Sequence, residues 1–123
     1  MNDLSGKKPL TQKILTQDER DSLMFLVYLY LRLGKMDRAK LILETMEKAC
    51  PEEKRTGKYL AAIALEEENG QKALAHLTPY LDRSEIKSQD APLLLMQAKA
   101  LLIQGLEDES RIILSEYLIM TGA

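Results

Sequence analysis

Histidine and cysteine, which often act in catalysis or bind metal ions, are scarce in this sequence. Its 123 residues include one histidine, one cysteine and no tryptophan. A single cysteine, Cys50, excludes an internal disulfide bond and fits a reducing compartment. His76 is also alone, and a general base or a metal site needs partners that one histidine lacks. We therefore expect a protein that is not an enzyme and that holds no metal or cofactor.

An excess of charge of one sign is lacking as well. The chain has 17 Lys and Arg against 19 Asp and Glu, a net charge of -2, and its basic residues are scattered. This pattern excludes the basic surface typical of nucleic-acid binding. The N-terminus lacks the apolar core of a signal peptide, so we expect a cytosolic protein. Residues 1–15 show no sustained periodicity, which predicts a flexible tail before a single domain at residues 16–123.

The longest apolar run, LMFLVYLYL at residues 23–31, is far shorter than the roughly 20 residues that span a bilayer. Helix signals flank it. Thr16 and Glu19 have the spacing of a capping box, and Gly34 lies where a helix would end. A helix that is apolar all round must be covered on more than one side. We infer that another polypeptide covers the second side.

Good helix formers dominate the composition and predict an all-α fold. The predicted helices cover residues 17–33, 37–49 and 52–68, a segment starting near 71, a segment ending at 105, and residues 107–120. Pro51 is expected in the first turn of the third helix, which Asn69 and Gly70 should end. Pro79 should kink or break the fourth helix, and Asp90 should cap the fifth. Residues 82–90 form the longest connector.

A repeat relates the predicted helix pairs. Ala39 and Leu43 recur 34 residues later as Ala73 and Leu77, and Ser110 stands at the place of Ala39 in a third copy. The third copy is displaced by three residues, which we assign to an insertion in the connector. The small residues should let paired helices approach closely. A helix-turn-helix unit of about 34 residues has the length of a tetratricopeptide repeat.

The first copy is the most similar to the tetratricopeptide signature. Its signature positions hold Leu23, Leu26, Tyr30, Gly34, Ala39, Leu43 and Pro51. Val27 replaces the usual glycine, and the second copy departs most. The resemblance implies an all-α fold of three tetratricopeptide-like helix-turn-helix repeats that form a short right-handed superhelix. The first helix of each repeat would line a concave groove. The alternative is an irregular helical bundle whose pairs coincide in length.

The family's groove positions imply a largely apolar set of partner contacts, called here the predicted strip. It consists of Met24, Tyr28, Leu31, Arg32, Lys58, Ala62, Leu65, Leu95, Lys99, Leu102 and Ile103. An open apolar strip marks a partner site, and an amphipathic helix or extended apolar segment would fit it. The alternative is that several of these residues pack inside the domain. The family's carboxylate clamp is not expected, because Met24 and Tyr28 stand where a lysine and an asparagine would be needed.

In size and layout, the chain resembles the small tetratricopeptide chaperones of bacterial type III secretion, most of all the YscY-like group. The similarity lies in residues 15–46 and 93–118 and in their separation. It implies a chaperone in the bacterial cytoplasm that acts transiently at the inner-membrane export apparatus. Its partner would be a small early-secreted, YscX-like protein. The chaperone would bind this protein as a heterodimer, shield its apolar segment, and present it to the export gate.

Two other functions fit the same pattern. A chaperone of the needle subunit would work with a second small co-chaperone, so copurification of one or two small partners separates it from the first hypothesis. A general adaptor or scaffold would have no role in secretion. Neighbouring genes for parts of a secretion apparatus would argue against that alternative.

Overall fold

The computed structural model describes residues 15–81 and 86–122, and all regular structure in these ranges is helical. The predicted all-α class is therefore confirmed. The described residues form the α-helices α1 (Gln17–Arg32), α2 (Met36–Ala49), α3 (Arg55–Glu66), α4 (Gly70–Leu77), α5 (Ala91–Ile103) and α6 (Glu107–Thr121). Two 3-10 helices, Thr78–Tyr80 and Ser88–Asp90, lie between α4 and α5. No helix among the described residues is long and apolar enough to cross a membrane.

The chain divides into two compact units, Met1–Thr56 and Gly57–Ala123. In the first unit α1 packs on α2, and in the second α5 packs on both α4 and α6. The predicted tail lies outside the described residues except for Leu15, and so does part of the predicted connector, at residues 82–85. The single domain expected for residues 16–123 stays a prediction.

A capping box at the start of α1 and a glycine after its end set the bounds of this helix close to those predicted from the sequence. The Thr16 hydroxyl accepts a hydrogen bond from the Glu19 amide at 3.1 Å, and the Thr16 amide donates to the Glu19 carboxylate at 2.9 Å. This pair is the predicted capping box. At the other end Gly34 has a φ of 74°. That left-handed conformation favours glycine and lets the Lys35 amide donate to the Tyr30 carbonyl at 2.8 Å.

The predicted bounds of α3 are wrong at its start. Pro51 lies in a turn before the helix, which begins at Arg55 rather than at Glu52. The reason is local hydrogen bonding: the Glu53 amide donates to the Cys50 carbonyl at 2.9 Å, and the Glu53 carboxylate accepts from the Arg55 amide at 3.1 Å. A carboxylate that takes up a free amide in this way stabilises a helix start.

The expected ending of α3 also differs in detail. Glu68, not Gly70, adopts the left-handed conformation, with a φ of 57°. The Asn69 side chain instead caps α4 by accepting from the Lys72 amide at 3.0 Å. The Asn69 amide also donates to the Ala64 carbonyl at 2.8 Å and closes the end of α3, whereas Gly70 is the first residue of α4.

Two proline and cap predictions have different outcomes. The break at Pro79 is confirmed, because α4 ends at Leu77 and Pro79 lies in the 3-10 helix. Asp90 does occupy the cap position of α5, but its side chain makes no cap hydrogen bond there. Its carboxylate instead faces the Lys87 amide at 3.5 Å.

Small buried residues lie where helices meet. Ala39, Ala73 and Ser110, which occupy equivalent positions of the predicted repeat, are all buried. The Ser110 hydroxyl donates to the Ala98 carbonyl at 2.9 Å, which satisfies a buried polar group between α6 and α5. Gly70 on α4 is buried as well, and a Cβ added to it would meet the carbonyl oxygen of Ala100 on α5.

We predict that Gly70→Ala destabilises the protein, although alanine normally stabilises a helix by about 1 kcal/mol relative to glycine. The added methyl group would push α4 away from Ala100, so we expect a loss of about 1–3 kcal/mol in the free energy of unfolding. Urea titration of the full chain measures it. The control Gln71→Ala, at the exposed neighbouring position, should stay within about 0.5 kcal/mol of the wild type. A Gly70→Ala variant at least as stable as the wild type would contradict the close approach.

Candidate protein-binding surfaces

The first unit has a helix with two apolar faces. On one side of α1, Met24 and Val27 are buried. On the opposite side, Phe25 is 61% exposed and Leu33, just after the helix, is 68% exposed. We call the exposed apolar side the outer face of α1; it consists of Phe25, Leu26, Leu29 and Leu33. Phe25, Leu29 and Leu33 are four apart in sequence, and Leu26 lies three residues before Leu29, so the four residues share one side of the helix.

The predicted strip reaches the surface of the first unit at Tyr28 and Arg32. Tyr28 is 42% exposed, and its hydroxyl accepts from the Arg32 guanidinium at 3.0 Å. The guanidinium carbon also lies 5.8 Å from the centroid of the Tyr28 ring, a cation–π geometry. Leu31 is half-buried. Met24 is buried, so it does not line an open surface as expected.

In the second unit the predicted residues of α5 lie on one exposed face. Leu95 is 40% exposed and Leu102 is 56% exposed, with the exposed Lys99 between them. Their spacing of four and three residues places them along one side of the helix. Ile103, half-buried, packs beside the cluster formed around Ala100. We call Leu95, Lys99 and Leu102 the α5 face.

The predicted residues of α3 are mostly not open. Leu65 is buried against Ala73 and Ala100, so its expected place in an open groove is wrong and it belongs to the core. Ala62 is half-buried. Lys58 is exposed, and its ammonium nitrogen lies 5.4 Å from the centroid of the Tyr80 ring.

The second apolar side expected for the run at residues 23–31 corresponds to the outer face of α1, although the predicted strip did not include it. One exposed apolar surface was not predicted. It lies on α6, where Ile112, Leu118 and Ile119 are exposed. The segment RIILSEYLIM contains more apolar residues than one buried helical face requires. This excess could have predicted the exposed apolar surface on α6.

A charged cluster connects the first turns of α1 with the segment before α3. The Arg20 guanidinium pairs with Glu52 at 3.0 Å and approaches Glu53 at 3.7 Å. Arg55 pairs with Glu53 at 2.7 Å and with Asp21 at 2.8 Å. These residues line an open cavity of about 390 Å³ together with Gln17 and Lys54.

The cluster is held by its own hydrogen bonds. The Arg55 side chain lowers the pKa of Glu53 to about 2, against the cost of burial, and Glu53 in turn raises the pKa of Arg55. Arg55 also lowers the pKa of Asp21. A carboxylate with so low a pKa remains ionised at neutral pH and is a poor proton acceptor. We therefore interpret the cluster as a structural link.

The remaining candidate groups are metal ligands, His76 and Cys50. Within residues 15–81 and 86–122, no three His, Cys, Asp or Glu side chains are grouped as metal ligands. His76 is half-buried on α4, and Cys50 is a buried free thiol. In comparisons with known proteins, no family model and no curated protein matches this chain.

We predict that the two faces of α1 respond differently to the same substitution. Val27→Asn places an amide in a fully buried site and should lower the free energy of unfolding by about 2 kcal/mol or more. The matched variant Phe25→Asn changes an exposed residue of the same helix and should stay within about 0.5 kcal/mol. Thermal and urea unfolding measure both. Equal destabilisation would show that the outer face is not exposed.

We also predict a contribution of Glu53 to stability that is lost in acid. Its pKa is lowered in the folded state, so its contribution is present above its ordinary pKa of about 4.5 and disappears as the pH falls toward 2. Because the side chain is only 7% exposed, this contribution should amount to about 1–3 kcal/mol. Urea titrations between pH 7 and pH 2.5 should show a shallower pH dependence in Glu53→Gln than in the wild type. Superimposable slopes for Glu53→Gln and the wild type would refute the assignment.

Proposed function

We propose that this chain is a non-catalytic, tetratricopeptide-like binding protein that acts as a chaperone in type III secretion. The proposal has two parts, the repeat and the secretion role. The 34-residue period supports the first part, as do the small buried residues at Ala39, Ala73 and Ser110. So does the packing of α1 on α2 and of α5 on α6, each a pair of helices joined by a tight turn.

The observation that carries the binding role is the two-faced α1. Val27 is completely buried on one side of this helix, whereas Phe25 is 61% exposed on the other. Leaving large apolar side chains in water is unfavourable, by about 25 cal/mol for each Å² that could be buried. Exposed apolar surface of this kind usually marks a place where another protein binds.

The exposed members of the predicted strip provide further contacts. Tyr28 on α1 and Leu95 and Leu102 on α5 each present apolar surface to solvent. Each of these two surfaces, one in the first unit and one in the second, suits an amphipathic helix or an extended apolar segment. Such a segment is what a small protein exposes before export or assembly, and a chaperone in the cytoplasm would shield it.

The secretion role rests on the resemblance to the YscY-like group. In this proposal the partner is a small early-secreted, YscX-like protein that forms a heterodimer with the chain and reaches the export gate with it. The direct test is to express the tagged chain in its native cell and identify the bound proteins by mass spectrometry. One small secreted protein of the export apparatus is the expected result. A needle subunit with a second small protein would favour the needle-chaperone alternative, and partners unrelated to secretion would favour a general adaptor.

We predict that Tyr28→Asp and Leu102→Asp each abolish binding of the copurified partner. Each substitution places a charge on an exposed apolar contact, so the helical content measured by circular dichroism should change little. Pull-down and isothermal titration calorimetry with the purified partner measure binding. The control Leu41→Asp changes a still more exposed leucine, on α2 and outside the predicted strip, and should bind like the wild type. If both strip variants bind at wild-type strength, the strip is not the partner site.

A further inference from the structure

The outer face of α1 is an exposed apolar surface within the first unit. Its four large side chains are all exposed, and Phe25, Leu29 and Leu33 form a ridge at intervals of four residues. Within the same unit α1 packs on α2 through its opposite side, which holds the buried Val27. A ridge of this kind packs into the groove between the ridges of a second helix. The outer face therefore has the form of one half of a helix pair.

Charges of opposite sign lie at the two ends of this face. Asp18 and Glu19 belong to the first turn of α1, and Arg32 belongs to its last turn. Lys35 follows in the turn before α2, and all four residues are exposed. Two parallel copies of the helix would place like charges opposite each other, which is unfavourable. Two antiparallel copies would place the acidic end of each opposite the basic end of the other, so the face is complementary to itself in that orientation.

The apolar and the charged groups of two antiparallel copies come into register together. If Phe25 of one copy lies opposite Leu29 of the other, a ring packs on a leucine in the middle of the pair. Glu19 lies six residues before Phe25, and Lys35 lies six residues after Leu29. Since the rise along a helix is constant, these two charges reach about the same level at each end of the pair. A twofold axis repeats every contact, so the pair contains two Phe25–Leu29 contacts and two oppositely charged ends.

We infer that the outer face of α1 pairs with the same face of a second copy of this chain, with the two helices antiparallel. The inference concerns the unbound chain and does not depend on the proposed function. A partner that covers α1 in a heterodimer would replace the second copy. The four side chains are only partly exposed and provide less area than the roughly 800 Å² per partner of a standard interface. We therefore expect a dimer that dissociates on dilution.

Sedimentation equilibrium of the full chain without a partner tests this directly. The wild type should have the mass of one 14.0 kDa chain at about 5 µM and approach twice that mass at about 500 µM. Leu29→Asp places a charge in the middle of the pair and should remain monomeric throughout. The matched control Ile119→Asp changes an exposed residue of α6 and should dimerise like the wild type. Circular dichroism checks that both variants keep their helical content.

Charge reversal tests the antiparallel order of the pair. Asp18→Lys and Lys35→Glu should each raise the dissociation constant of the dimer about three- to tenfold at low salt, because each places like charges together at both ends. Asp18 is chosen over Glu19 because Glu19 takes part in the capping box. The double variant Asp18→Lys/Lys35→Glu restores opposite charges and should return to within about twofold of the wild type. The control Lys48→Glu changes the net charge as Lys35→Glu does, at an exposed residue of α2, and should dimerise like the wild type.

The results that would overturn the inference are specific. A wild-type chain that stays monomeric at the highest concentration would exclude self-pairing and leave the proposed binding role untouched. A dimer that persists in Leu29→Asp, or that Ile119→Asp abolishes, would place the contact on another surface. A double charge variant that dimerises more weakly than either single variant would exclude the antiparallel order. Loss of the dimer in Leu29→Asp together with recovery in the double charge variant would support the inference.

Discussion

A helix with apolar side chains around its whole circumference cannot bury all of them against one neighbour. α1 meets this constraint in the described structure: it packs on α2, Val27 is fully buried, and Phe25 and Leu33 remain in contact with water. The free energy lost at the outer face can be recovered if another polypeptide covers it. The proposed binding role follows from this imbalance, because the same residues that weaken the isolated chain would strengthen a complex.

The charged cluster addresses a different requirement, the position of the segment that leads into α3. Glu53 contacts Arg55 within its own segment, and Arg55 reaches Asp21 on α1, 34 residues earlier in the chain. Arg20 completes the link from the same helix. Because these ion pairs form within the first unit, they contribute to its stability.

The sequence predicted features that depend on neighbours within one or two turns. The capping box of Thr16 and Glu19, the turn at Gly34 and the break at Pro79 are all of this kind. It failed where a distant contact decides the outcome. Leu65 is buried because Ala73 and Ala100 approach it from other helices. The late start of α3 is a local feature that the pattern of apolar residues did not reveal, because it depends on the hydrogen bond from the Arg55 amide to the Glu53 carboxylate. The strip was predicted from family positions, so it included the buried Met24 and omitted the outer face of α1.

The most direct test of the central claim, that another polypeptide covers these apolar surfaces, is hydrogen–deuterium exchange of the chain with and without its copurified partner. We expect binding to slow amide exchange in α1 over residues 23–33 and in α5 over residues 95–103, with little change in α2. A complex in which neither α1 nor α5 gains protection would contradict the claim.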